Sequence, residues 1–96
     1  MTVSVFEWSE AKAASNLAKH GVSFEEAQTA FLDPLAGVKR DPDHSEGEER
    51  EVLAGASSSG TLLLVSFTQD GDVIRIISAR AMTRSERKYH EEERVV

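Results

Sequence analysis

The chain has 96 residues, no cysteine and a formal net charge of −6. That length suits a single domain over residues 1–96, burying roughly 60–70% of the surface that its unfolded form exposes, and the lack of cysteine excludes disulfide scaffolds, thiolate metal sites and cysteine nucleophiles. No apolar run approaches the ~20 residues that span a bilayer, and the opening MTVSVFEW lacks the basic and apolar regions of a secretory leader, so a cytoplasmic chain with no membrane partner is expected.

Val3-Ser4-Val5-Phe6 alternates weakly and predicts a short strand over residues 3–7. Ser9 then caps an Ala- and Lys-rich helix from Glu10 to His20. Gly21 supplies the left-handed residue that closes such a helix, with Val22 folding back on Leu17. Ser23 to Glu26 is a capping box, opening a second helix whose apolar face is Phe24, Ala27, Ala30 and Phe31 and which stops before Asp33-Pro34. Leu35 to Lys39 reads as a short strand, and DPDHSEG from Asp41 to Gly47 as a polar loop. Residues 49–56, 61–68 and 72–80 read as three strands joined by tight turns. The unbroken apolar run Leu62–Val65 marks the middle one as central. Thr83 to Glu86 is another capping box, starting a final helix through about Glu93. The fold expected is α+β: an antiparallel sheet of about four to five strands with two N-terminal helices and a C-terminal helix.

Charge is distributed unevenly. Between Val73 and His90 stand Arg75, Arg80, Arg84, Arg87 and Lys88 against one acid, Glu86. An acidic chain can therefore present a basic face. With a regular period of two, Ile74, Ile76, Ser78 and Arg80 would share one side of the last strand and Val73, Arg75, Ile77 and Ala79 the other. A mid-strand arginine must reach water, an ion-pair partner or an anion, and its planar donor fork suits phosphate. Arg50 follows Glu46, Glu48 and Glu49, so it reads either as a surface ion pair contributing ~0–1 kcal/mol or as a neighbour of Arg75 on the sheet. Lys19 and His20 lie in the last turn of their helix, where the macrodipole favours cations; histidine is also suited to proton transfer near neutral pH. Tyr89 reads as a core residue with a wet hydroxyl or as a base-stacking ring, His90 as solvated, and Trp8 as a core anchor. Asp41, Asp43 and Ser45 alternate like a calcium loop, but Gly47 stands at position 7 and Val52 at position 12, where glycine at 6 and glutamate at 12 are required. A looser site at Asp43 and His44 is the remaining metal reading, and the sequence is assigned neither metal nor cofactor.

Taken together, FEWSEAK, NLAKHGVSFEEA, DPDHSEGEER, RIISAR and the terminal RSERKY closely resemble the BrnT family of toxins from bacterial type II toxin–antitoxin pairs, over roughly Phe6 to Glu91. The resemblance implies a compact fold like that of RelE-type toxins and an endoribonuclease that inhibits translation, acting on RNA that includes ribosome-bound messages. It also implies a BrnA-like antitoxin, two copies of each chain in the complex, and DNA contacted only through the antitoxin. Carried over, the family motifs fall on Lys19-His20-Gly21, Glu48-Glu49-Arg50 and Arg75 to Arg80. The catalytic residues expected are His20, Arg50, Arg75 and Arg80, with Lys19, Arg84, Arg87 and Tyr89 contacting RNA, in a cleavage by the 2′-hydroxyl that needs no metal. Ser9 stands where the family usually has aspartate, Glu51 where an aromatic is common, and Met82 where a basic or small residue is common. The alternative is a non-catalytic homologue whose basic face docks an acidic antitoxin.

Overall fold

In the computed structural model, which describes residues 4–41 and 49–94, strand β1 (Val5–Glu7) leads into helix α1 (Glu10–His20). The Ser9 hydroxyl accepts the Lys12 N–H at 3.3 Å and starts the helix. Gly21 ends it at φ 70°, donating its N–H to the Leu17 carbonyl at 2.9 Å. That left-handed step is one an L side chain resists. Val22 is then buried in the core, and Leu17 stays half exposed.

Helix α2 (Phe24–Thr29) continues into a 3-10 turn, Ala30–Leu32. Ser23 caps it through a 3.0 Å bond from the Glu26 N–H. The other half of the expected box goes elsewhere: the Glu26 carboxylate accepts the hydroxyls of Ser57 at 2.8 Å and Ser59 at 2.9 Å. Strands β2 (Gly37–Arg40), β3 (Glu51–Ala56), β4 (Leu62–Asp70) and β5 (Val73–Ala81) follow, then helix α3 (Arg84–Arg94). They form a five-stranded sheet in the order β1-β5-β4-β3-β2. The chain is α+β as expected, with one departure: β1 runs parallel to β5, while all other pairings are antiparallel. Because β2 to β5 alternate in direction, a β1 parallel to β5 runs antiparallel to β2, and the helical segment between them carries the chain from one edge of the sheet to the other. The loop carrying Asp43, His44, Ser45 and Glu48 lies outside the described residues.

One face of the sheet carries the core. Leu53, Leu63, Val65, Phe67, Ile74, Ile76 and Ala79 are buried there against Phe24, Ala27 and Ala30. Aromatic edges extend it: Phe31 meets Phe6 at 5.1 Å and Phe67 at 5.0 Å, and Trp8 meets Phe24 at 5.9 Å. Gly55 lets the 3-10 turn approach; a Cβ there would stand 3.0 Å from the Ala36 methyl and 3.2 Å from the Ala30 carbonyl oxygen.

Two features place the opposite face. First, the β4–β5 register slips between Ser66 and Phe67: Ser66 pairs with Ser78 but Phe67 with Ile76, so Ile77 is an extra residue, a β-bulge. Second, Asn16 on α1 is buried and serves the free edge of β5 beyond the short β1. Its amide donates to the Ala79 carbonyl at 2.8 Å and the Val22 carbonyl at 2.9 Å, and its oxygen accepts the Ala79 N–H at 3.0 Å. One side-chain amide thus stands in for a neighbouring strand, and α1 blocks an edge that would otherwise invite pairing.

Candidate functional site

The bulge changes which side chains share a face. A regular β5 would separate Arg75 from Arg80, as the plain alternation expects. With Ile77 inserted, Ala79 joins Ile74 and Ile76 in the core, and Arg75, Ser78 and Arg80 emerge together on the other side. That corrects the sequence expectation of opposite faces. Cross-strand pairing continues the row: Glu7 lies opposite Arg75, and Arg75 opposite Thr68. The Asp41 N–H donates to the Arg50 carbonyl at 2.9 Å, extending the β2–β3 ladder one step past the Arg40–Glu51 pair. Arg50 therefore stands next to Thr68, in phase with Val52, two strands and ~10 Å from Arg75. Arg80 lies five residues further along β5, roughly 13–17 Å away. Ser66, Ser78 and Thr68 form the hydroxyl floor between them. Sequence reasoning passed over these three, although Ser66 and Thr68 alternate with buried Val65 and Phe67 and so had to face away from the core.

The arginines differ in their partners. Arg75 makes an ion pair with Glu7 at 3.2 Å, both side chains about half exposed. Arg80 grips Glu86 through both terminal nitrogens at 2.8 Å each. Glu86 also accepts the Thr83 N–H at 2.8 Å, and its own N–H reaches the Thr83 hydroxyl at 3.3 Å, completing the expected capping box. Chiefly through the Arg80 guanidinium, and then the Thr83 N–H, the Glu86 carboxyl is pulled down to about 2. Arg50 has no carboxylate partner among the described residues, and its Nε is buried without a hydrogen bond.

Lys19 and His20 are exposed at the end of α1. The Asn16 bonds to Val22 and Ala79 hold the turn that contains them alongside β5, but no hydrogen bond or ion pair joins either to an arginine among the described residues. Arg84 and Arg87 are exposed on α3, with Arg87 donating to the Met82 carbonyl at 3.3 Å. Tyr89 is exposed, and the Lys39 ammonium sits 5.0 Å from its ring centre. His90, expected in solvent, is only 6% exposed, and its Nε2 is buried without a partner among the described residues. The reason is geometric: α3 crosses the arginine-bearing face from Met82 to Lys39, turning Ser85, Glu86, Tyr89, His90 and Glu93 towards the sheet. At its far end Lys39 pairs with Glu93 at 3.1 Å; the Tyr89 hydroxyl first, and then Lys39, hold the Glu93 carboxyl below the usual range.

Guanidinium groups spaced ~10–17 Å apart on one face, with hydroxyls between them, suit the repeating charges of an anionic backbone. A family model described as the ribonuclease toxin, BrnT, of type II toxin–antitoxin systems matches residues 8–86. Among solved structures, the chain is similar to the 1.1 Å crystal structure of the Brucella abortus ribonuclease toxin, BrnT, with 25% identity and a TM-score of 0.59, covering 88% of this chain and 99% of that one. No curated protein matches it. With most of its length matched by that family model, the chain belongs to the BrnT family of ribonuclease toxins of type II toxin–antitoxin systems.

Proposed function

We propose that the arginine-bearing face cleaves RNA by attack of a 2′-hydroxyl on its own phosphodiester, without a metal. A ribonuclease toxin of this family acts on RNA and has an antitoxin partner; the finer chemistry is argued from the side chains. RNA carries its nucleophile. As the 2′-oxygen bonds to phosphorus the P–O5′ bond breaks, leaving a 2′,3′-cyclic phosphate and a 5′-hydroxyl. One proton must leave the 2′-oxygen and one must reach the 5′-oxygen, and negative charge builds on the phosphoryl oxygens, where fixed donors stabilise it most. The observation that carries the reading is the bulge at Ile77, which gathers Arg75 and Arg80 on the face that also bears Arg50.

Within that set, Arg50 is the most available to phosphate, having no carboxylate partner among the described residues. Arg75 follows, because a half-exposed pair such as that with Glu7 contributes only ~0–1 kcal/mol and yields readily to a charged oxygen. Arg80 holds Glu86 with one N–H from each terminal nitrogen and keeps further N–H donors of its five for a phosphoryl oxygen. His20 is the proton-transfer candidate and Lys19 adds positive potential beside it; Arg84, Arg87 and Tyr89 widen the contact with RNA. Cleavage of messages, including those on the ribosome, would inhibit translation in the cytoplasm. A BrnA-like antitoxin, in a complex with two copies of each chain, would neutralise the toxin by covering this face and would alone contact DNA.

The test is growth arrest on expression in a bacterium, beside melting curves of the purified proteins. Arg50→Ala and Arg75→Ala should abolish arrest without unfolding the chain; full toxicity in both would contradict the assignment. One observation favours the second reading, an inactive homologue that only docks an acidic antitoxin: Arg75 and Arg80 each already hold a carboxylate. Under that reading the native chain arrests nothing.

A further inference from the structure

Beneath α3 lies a half-enclosed cleft of about 320 Å³, its floor made by Val52, Ala54 and Leu64 and its roof by Met82, Tyr89 and His90. We propose that this cleft is a nucleobase pocket, taking one heteroaromatic base of the RNA whose phosphates lie on Arg50 and Arg80. The proposal rests on the ribonuclease reading above and adds to it the element that would choose the sequence cut.

Three independent observations converge. The cleft is placed between the proposed phosphate sites: Val52 on its floor is two residues along β3 from Arg50, on the same face, and Leu64 is the direct cross-strand partner of Arg80. Two residues of a strand span ~7 Å and adjacent strands lie ~5 Å apart, so a base in the cleft has a cation on either side at the distance of its own backbone. The lining joins apolar Val52, Ala54, Leu64 and Met82 to polar Lys39, Ser85, Glu86 and Glu93, as a flat ring with apolar faces and a hydrogen-bonding edge requires. Finally, His90 is buried with Nε2 unpartnered among the described residues. A buried polar nitrogen left without a partner is costly, and an aliphatic occupant would leave it so, whereas a base edge supplies either a donor or an acceptor. Nε2 is shielded in the empty cleft, so the imidazole meets the base by turning about χ2, a soft torsion. Tyr89 offers its exposed ring at the mouth for stacking.

The test uses the full chain, the four nucleoside 5′-monophosphates, and ribose 5-phosphate as the same anion without a base. Nuclear magnetic resonance of the His90 imidazole should show shifts with at least one nucleotide and none with ribose 5-phosphate. Ala54→Leu, which fills the cleft from the sheet side, should abolish those shifts, and His90→Leu, which removes the hydrogen bond from the helix side, should abolish the nucleotide-induced shift of the Ala54 methyl in the cleft floor. In cleavage of a random RNA pool, both should shrink the base preference beside the cut by roughly tenfold, equivalent to about 1.4 kcal/mol. His90 signals that ignore all four nucleotides would overturn the pocket, as would a native chain that cuts with no preference beside the bond. Unchanged preference in a folded Ala54→Leu protein that has lost antitoxin binding would make the cleft a protein-docking groove instead. Nucleotide-induced shifts at His90 in a chain that cleaves no RNA would support the pocket while overturning the catalytic reading.

Discussion

Replacing Asn16 with alanine tests how the turn bearing Lys19 and His20 is attached to the sheet. Asn16 makes three buried hydrogen bonds, two to Ala79 and one to Val22, at 2.8–3.0 Å. Each such bond contributes ~1 kcal/mol net, and a buried partner left dry costs ~1–3 kcal/mol. Alanine strands the Ala79 N–H and both carbonyls, so the loss should reach about 3–5 kcal/mol. For a chain of 96 residues, each kcal/mol lowers the melting temperature by ~4–8 °C, so a fall of at least ~12 °C is expected. Urea unfolding followed by circular dichroism measures the free energy directly. Asn16→Asp adds a sharper arm: its carboxylate still accepts the Ala79 N–H but faces two carbonyls, which raises the pKa of the new group in the folded state. The penalty should therefore be smaller near pH 3.5, where the carboxyl is protonated and can donate to one carbonyl, and full at pH 7. A loss below ~1 kcal/mol for Asn16→Ala would refute the reasoning, because it would mean that water or a shifted α1 satisfies the β5 edge at no cost.

The bulge makes an unusual forecast: deleting Ile77 should leave every other β5 side chain on its observed face, since two residues there oppose one. The deletion variant should fold cooperatively with a loss under about 3 kcal/mol, whereas a non-cooperative urea transition would contradict the register. Gly55→Val should destabilise by ~1–3 kcal/mol in the same assay, because the Ala30 carbonyl oxygen 3.2 Å from the new Cβ is backbone and cannot swing away. Glu86 gives a pH signature: its folded pKa of about 2 lies below the ordinary 4.5, so its contribution is present above pH 4.5 and is lost as pH falls towards 2. The full shift would be worth ~3 kcal/mol, but with Arg80 and Glu86 side chains 42% and 34% exposed about 1 kcal/mol is expected after solvent screening; Glu86→Gln should lose that slope, and an unchanged acid limb would refute the pairing.

How far the sequence revealed the site depended on whether a contact was local. The helix ends were legible because Ser9, Gly21 and Thr83 act within three or four residues of themselves. The central strand was legible because Leu62 to Val65 is an unbroken apolar run in a segment bounded by turn residues. The relation of Arg75 to Arg80 was not, because a bulge inserts one residue into a period of two, and the doublet Ile76-Ile77 looks like any other pair of β-formers. Nothing local marks Asn16, whose partner Ala79 is 63 positions away. His90 was misplaced for a similar reason: whether a face of α3 meets solvent or sheet depends on the direction in which the helix leaves β5. Glu26 illustrates the converse, a correct capping signal whose second half was captured by Ser57 and Ser59 from a distant turn.

The most direct measurement of the central claim is cleavage of a defined RNA by the purified chain in excess chelator, with the product ends identified. The account predicts 2′,3′-cyclic phosphate and 5′-hydroxyl ends from the native protein, and a rate at least ~10²-fold lower for folded Arg50→Ala or Arg75→Ala. Ends bearing a 3′-hydroxyl and a 5′-phosphate, or an undiminished rate in both variants, would contradict it.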